Sequence, residues 1–129
     1  EFMDKTNSLN PPGYRISIIH HFVEFYKSWH NHIQHIPQTS RYTLGQKIDN
    51  YCLETLESLF IASYLPKQEK LPELQKANKK LDILKFLLQI AWEINVLDTK
   101  KYSVLSEPLG EIGRMLGGWI HKSEQETRP

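Results

Sequence analysis

Five of the six histidines fall within residues 20 to 35: His20, His21, His30, His32 and His35. Imidazole moves protons near neutral pH or ligates metal, so the cluster raises both chemistries. His32 and His35 are three apart and would share one side of a helix, whereas His21 would stand roughly 16 Å up the axis. Two ligands do not complete a zinc site. No Glu-x-x-His or Cys-x-x-Cys stands in the sequence to supply the rest. These histidines read as flanking, partly exposed side chains, and neither a metal nor another cofactor is expected.

A second chemistry is RNA cleavage by a histidine paired with an arginine, the pattern of a class of helical ribonucleases. Arg15-Ile-Ser-Ile-Ile-His20 and Arg114-Met-Leu-Gly-Gly-Trp-Ile-His121 both match it. With this many histidines such spacings arise by chance, so the match alone carries little weight. Ser63, Ser103 and Cys52 have no neighbours that would activate a nucleophile, and Cys52 lies on a core stripe where a thiol is usually inert. The chain therefore reads as non-enzymatic. Its one cysteine cannot form an internal disulfide and fits a reducing compartment, and no apolar run is long enough to span a bilayer. The expectation is a cytoplasmic protein without a membrane partner.

The remaining chemistry is electrostatic. With 16 Lys+Arg against 15 Asp+Glu, no global polycation advertises nucleic acid, and any basic signal must be local. Lys76, Lys79 and Lys80 form such a cluster, with Arg41, Lys47, Lys85 and Arg114 as further candidates for phosphate contact.

The elements that would position these groups are helical throughout, since no period-two alternation of useful length occurs. Residues 1–15 read as a flexible tail, residues 1–2 as a cloning scar, residues 16–122 as one four-helix bundle and residues 123–129 as a second flexible tail. Ile18, Phe22, Phe25, Trp29, Ile33 and Ile36 mark a first helix ending at Pro37. Thr39 or Ser40 is the expected N-cap of a second helix, whose stripe is Leu44, Ile48, Cys52, Thr55, Leu59 and Ala62. Residues 66–71 read as a connection, with Pro72 in the first turn of a third helix that runs to about Asn95. A fourth carries Tyr102, Leu105, Leu109, Ile112, Leu116 and Trp119, with Pro108 expected to kink or split it. Short connections imply an antiparallel up-down-up-down bundle.

Two faces exceed what a lone bundle needs. Besides its core stripe, the third helix carries Ile83, Phe86, Leu87, Ile90 and Ile94 on another side, in line with Lys76, Lys79 and Lys80. In the fourth, Gly110, Gly113 and Gly117 share a strip on which a second helix backbone could come close, although each glycine costs roughly 1 kcal/mol relative to alanine. Both faces are expected to be subunit contacts.

The stretches SRYTLGQKID, KLPELQKANKKLDILKFLLQIAWEI and EPLGEIGRMLGGWIHK together resemble a four-helix-bundle family. It comprises the accessory variability determinant proteins of diversity-generating retroelements and the related bundle proteins of ribosomal-RNA intervening sequences. The likeness covers about residues 16 to 122, and the ending around EIGRMLGGW favours the retroelement branch. It implies a non-catalytic accessory that forms a homopentameric ring and binds the reverse transcriptase. The nucleic acid implied is template RNA, with DNA or an RNA/DNA hybrid as further ligands. Members of that branch are strongly basic and this chain is nearly neutral, so RNA contact is expected only at a concentrated patch. The alternatives are a ribosomal-RNA-associated bundle without a polymerase partner and the small helical ribonuclease.

Overall fold

The computed structural model describes residues 13–129, with side chains from residue 17 onward. The proposed tail over residues 1–12 lies outside the described residues. Four long helices account for most of the rest: α1 Gly13–Ile33, α2 Gln46–Tyr64, α3 Lys67–Glu93 and α4 Thr99–Glu126. No strand occurs among the described residues. Each helix packs on its neighbours in the chain, and α4 also packs on α1, which closes the bundle around one core.

That core is the set of apolar stripes the spacing predicts. Ile18, Phe22, Phe25 and Trp29 of α1 are buried against Ile48, Cys52 and Leu59 of α2 and Leu74, Leu81, Leu84 and Leu88 of α3. Leu105, Leu109, Ile112, Leu116 and Trp119 of α4 complete it. A fully buried side chain of this size contributes about 1.5–3 kcal/mol, so the fold rests mainly on these stripes. Polar anchoring is added by Asp49, whose Oδ1 accepts hydrogen bonds from Tyr26 Oη at 2.8 Å and Trp29 Nε1 at 3.1 Å.

The helices differ from the sequence expectation in five places. Neither Thr39 nor Ser40 caps α2. Pro37, with an extended ψ, starts a short helical turn Gln38–Ser40, which passes through a π-helical turn Arg41–Gly45 into α2 without a side-chain cap. Pro72 is not in the first turn of α3; the helix begins at Lys67, directly after Pro66, and residues 67–71 belong to it. The buried Lys70 explains this early start, because its ammonium reaches back to the Ala62 carbonyl at 2.6 Å near the end of α2. Pro108 does not split α4, which is one continuous helix capped by Asp98, whose carboxylate accepts the Lys101 amide at 2.8 Å. That helix also continues to Glu126, beyond residue 122, and its buried Ser123 extends the core stripe with a hydroxyl that hydrophobic spacing does not register. At the other end α1 already includes residues 13–15.

Asn95, at φ 65°, ends α3. Val96 N then bonds the Ala91 carbonyl at 2.8 Å, which satisfies a helix-end acceptor and turns the chain toward α4.

Candidate nucleic-acid interface

The seven candidate cations fall into two groups once their partners are considered. Lys79 is exposed on α3 and makes no ion pair among the described residues. Lys76, one turn earlier, is also exposed and touches Glu73 only loosely, at 4.0 Å. Both line an open groove of about 590 Å³ between the first half of α3 and the last turns of α4, together with Pro72, Gln75, Asn78 and Ile120. Amides, ammoniums and two apolar side chains are what a sugar-phosphate strand can use, with cations for the phosphates and amides for sugar or base edges.

The others are engaged within the fold. Lys80 pairs with Glu54 of α2 at 3.2 Å, and its side chain is only 20 % exposed. Arg41 is half-buried and donates from Nη2 to the carbonyls of Gln34 and Ile36, at 3.2 and 3.0 Å, so it holds the turn after α1. Arg114 pairs with Glu111 on its own helix at 3.3 Å, both side chains exposed, an arrangement worth little to stability. Lys47 lies over the Tyr51 ring, 5.9 Å from its centroid. Lys85 is half-buried and crosses to α4 at Gly113.

The glycine strip is therefore filled unevenly. At Gly113 a Cβ would meet the Lys85 ammonium at 2.7 Å; at Gly110 it would meet the Arg114 guanidinium at 3.8 Å; at Gly117 it would meet nothing within 4 Å. Among the described residues, no backbone of another helix comes close to this strip. The second stripe of α3 stands in solvent, with Phe86 58 % and Ile83 40 % exposed, Ile94 exposed, and Leu87 and Ile90 half-buried.

A further exposed apolar strip escaped the sequence reading. Leu53, Phe60 and Tyr64 on α2 are 44 %, 45 % and 64 % exposed, and the Phe60 and Tyr64 rings meet edge to face. Their spacing of seven and four is the same signal that marked the second stripe of α3, here interrupted by Glu54 and Glu57. Trp92 of α3 stacks on Tyr102 of α4 with centroids 4.8 Å apart, and donates to Thr99 Oγ1 at 3.1 Å.

His20, His21, His30 and His32 are spread along α1, His35 follows its end and His121 lies on α4; His21 and His32 each place Nδ1 2.7 Å from a carbonyl of their own helix. Among the described residues no three His, Cys, Asp or Glu side chains come together as a metal site. Cys52 is buried, and desolvation, with the Asp49 carboxylate nearby, pushes its thiol far above the ordinary range. No helix among the described residues is long and apolar enough to cross a membrane.

Compared with known proteins, residues 17–123 match the model of a family described as bAvd-like, and these residues hold almost the whole bundle. No curated protein matches the chain.

Proposed function

The chain belongs to the bAvd-like family, and from that premise we propose that it is a non-catalytic, nucleic-acid-binding accessory protein of a diversity-generating retroelement. In this reading it holds template RNA and docks the reverse transcriptase during mutagenic cDNA synthesis, in the cytoplasm. The observation that carries the reading is the family match over the full bundle, together with a groove whose lysines are not consumed by the fold. Lys79 supplies the main phosphate contact, and Lys76 stands at the edge of the groove beside it. Lys80, Arg41 and Arg114 contribute less, because each already has a partner.

The working form is a homopentameric ring of up-down-up-down bundles. An exposed Ile83–Phe86–Ile94 face supports assembly, since a monomer would leave this apolar surface in water. Repetition of one modest groove around an axis gives a nearly neutral chain a concentrated basic field.

The ribonuclease reading has weaker support. Arg114 is tied to Glu111, and His121 stands two turns further along α4, about 10 Å up the axis.

The test is binding of template RNA across a salt series, with co-purification of the reverse transcriptase. Binding that weakens linearly in log salt, together with recovery of the polymerase, is the expected result. Binding of ribosomal RNA with no polymerase recovered would move the protein to the ribosomal-RNA branch, and no RNA binding even at low salt would overturn the reading.

A further inference from the structure

We infer that the outer face of α2 carrying Leu53, Glu57 and Phe60 is the seat for a second copy of this chain, which docks through the α3 face carrying Lys76, Ile83 and Phe86. The inference rests on the ring reading above and supplies the half of the contact that reading leaves open.

The two faces lie on different sides of the bundle. Leu53 follows Asp49 by four residues and so shares its strip of α2, and Asp49 turns toward α1, where it binds Tyr26 and Trp29. Glu54, one residue on, turns instead toward α3 and pairs with Lys80. The Leu53–Phe60 strip thus opens on the α1 side of α2, away from the outer face of α3.

Two separate apolar faces on one chain constrain how copies meet. A two-fold dimer buries one face against itself and leaves the other wet. Head-to-tail contact buries both, one against the other, and closes into a ring when the rotation permits.

Charge favours the same pairing. The α3 face ends in Lys76, whose one ion pair among the described residues is the 4.0 Å approach to Glu73, and the α2 face carries the exposed Glu57. Contact of α3 on α3 would bring lysines together; contact of α3 on α2 brings lysine to glutamate. The heights agree as well. Lys70 meets Ala62 and Lys80 meets Glu54, so interpolation along α3 sets Lys76 level with Glu57. In a ring whose axis runs along the bundle, Lys76 of one copy comes level with Glu57 of the next.

The experiment takes the full chain, whose own cysteine is buried. Wild-type mass is first measured by light scattering; then a Glu57→Cys chain and a Lys76→Cys chain are mixed and treated with a short bis-maleimide. The expected result is an oligomer in which covalent dimers form in the mixture and not with either variant alone. A second measurement uses charge: Glu57→Lys raises the dissociation concentration of the oligomer at least about tenfold, and Glu57→Lys with Lys76→Glu in one chain restores it. Both positions are exposed, so helical content stays unchanged. An oligomer in which Lys76→Cys links to itself, or which ignores both charge changes, overturns this pairing and leaves the ring standing. A monomeric wild type overturns the ring, and the pairing with it.

Discussion

The Lys85 ammonium lies on α4 over Gly113, 2.7 Å from where a Cβ on that glycine would stand. The glycine leaves room for a side chain of the same protein, and that side chain ends in a flexible tip. Gly113→Ala therefore displaces only the tip of Lys85 and gains the helix propensity of alanine, at most about 1 kcal/mol. A Cβ at Gly117 would meet no side chain or other helix within 4 Å among the described residues, so Gly117→Ala gains the same amount without displacing anything. Both variants should unfold at a temperature equal to or a few degrees above wild type, measured by circular dichroism at a concentration where the chain is monomeric. If the strip also serves as a subunit contact, the same two variants dissociate more readily than wild type in light scattering. A fall in monomer stability for Gly117→Ala would show that the strip is packed from within.

Asp49 accepts from two donors of α1, and one of them, Trp29 Nε1, belongs to a fully buried side chain. Removing the carboxylate leaves that indole N–H without its partner, at a cost of about 1–3 kcal/mol. Asp49→Ala should lower the urea midpoint accordingly, whereas Tyr26→Phe, which deletes a half-buried donor, should cost about 1 kcal/mol or less. Equal midpoints for Asp49→Ala and wild type would mean that the link between α1 and α2 is apolar alone.

The same contact makes a pH signature. Desolvation, then the hydrogen bond to Asp49 and its negative charge, push the Tyr26 phenol up to about 12 from an ordinary 10. Between pH 10 and 12 the unfolded chain has released this proton and the folded chain still holds it. The unfolded state then binds fewer protons, so stability falls as pH rises through that window, and the contribution is complete only below pH 10. In a phenolate absorbance titration of the folded protein, Tyr26 should ionise late, and Tyr26→Phe should remove that late step. The decline in stability above pH 10 should also be shallower in Tyr26→Phe than in wild type.

The core was legible because it is periodic. Leu74, Ala77, Leu81, Leu84 and Leu88 step by three and four, and all five are buried. The second stripe of α3 was legible for the same reason, and its exposure follows from the stripe's position on the opposite side of the helix. The Leu53–Phe60–Tyr64 strip carried the same spacing but was masked by the glutamates between its members. Partners across space were not legible at all. Lys79 and Lys80 are adjacent in the sequence, yet a rotation of 100° turns one into solvent and the other onto Glu54, 26 positions away. Arg41 likewise resembles any surface arginine until the turn after α1 folds back and offers it the Gln34 and Ile36 carbonyls. Helix ends failed where a tertiary contact set them, as Lys70 does by carrying the start of α3 back across Ala62.

That difference between neighbouring lysines gives the most direct test of the groove. An exposed lysine that neutralises a phosphate releases a counterion, so its loss weakens binding and flattens the dependence of affinity on salt; for single-stranded RNA the slope changes by about 0.7 for each contact removed. Lys79→Glu should do both, with unchanged thermal stability, because Lys79 makes no ion pair among the described residues. Lys80→Ala should do neither to a comparable extent. It removes a pair that is half in solvent at Glu54, so its effect is a stability loss of about 1 kcal/mol or less, read in the urea midpoint. Fluorescence anisotropy of a labelled template RNA, taken at several salt concentrations for both variants, separates the two roles. If Lys80→Ala flattened the slope and Lys79→Glu did not, the strand would run along the α2 side of α3, and the groove beside Ile120 would not be the binding surface.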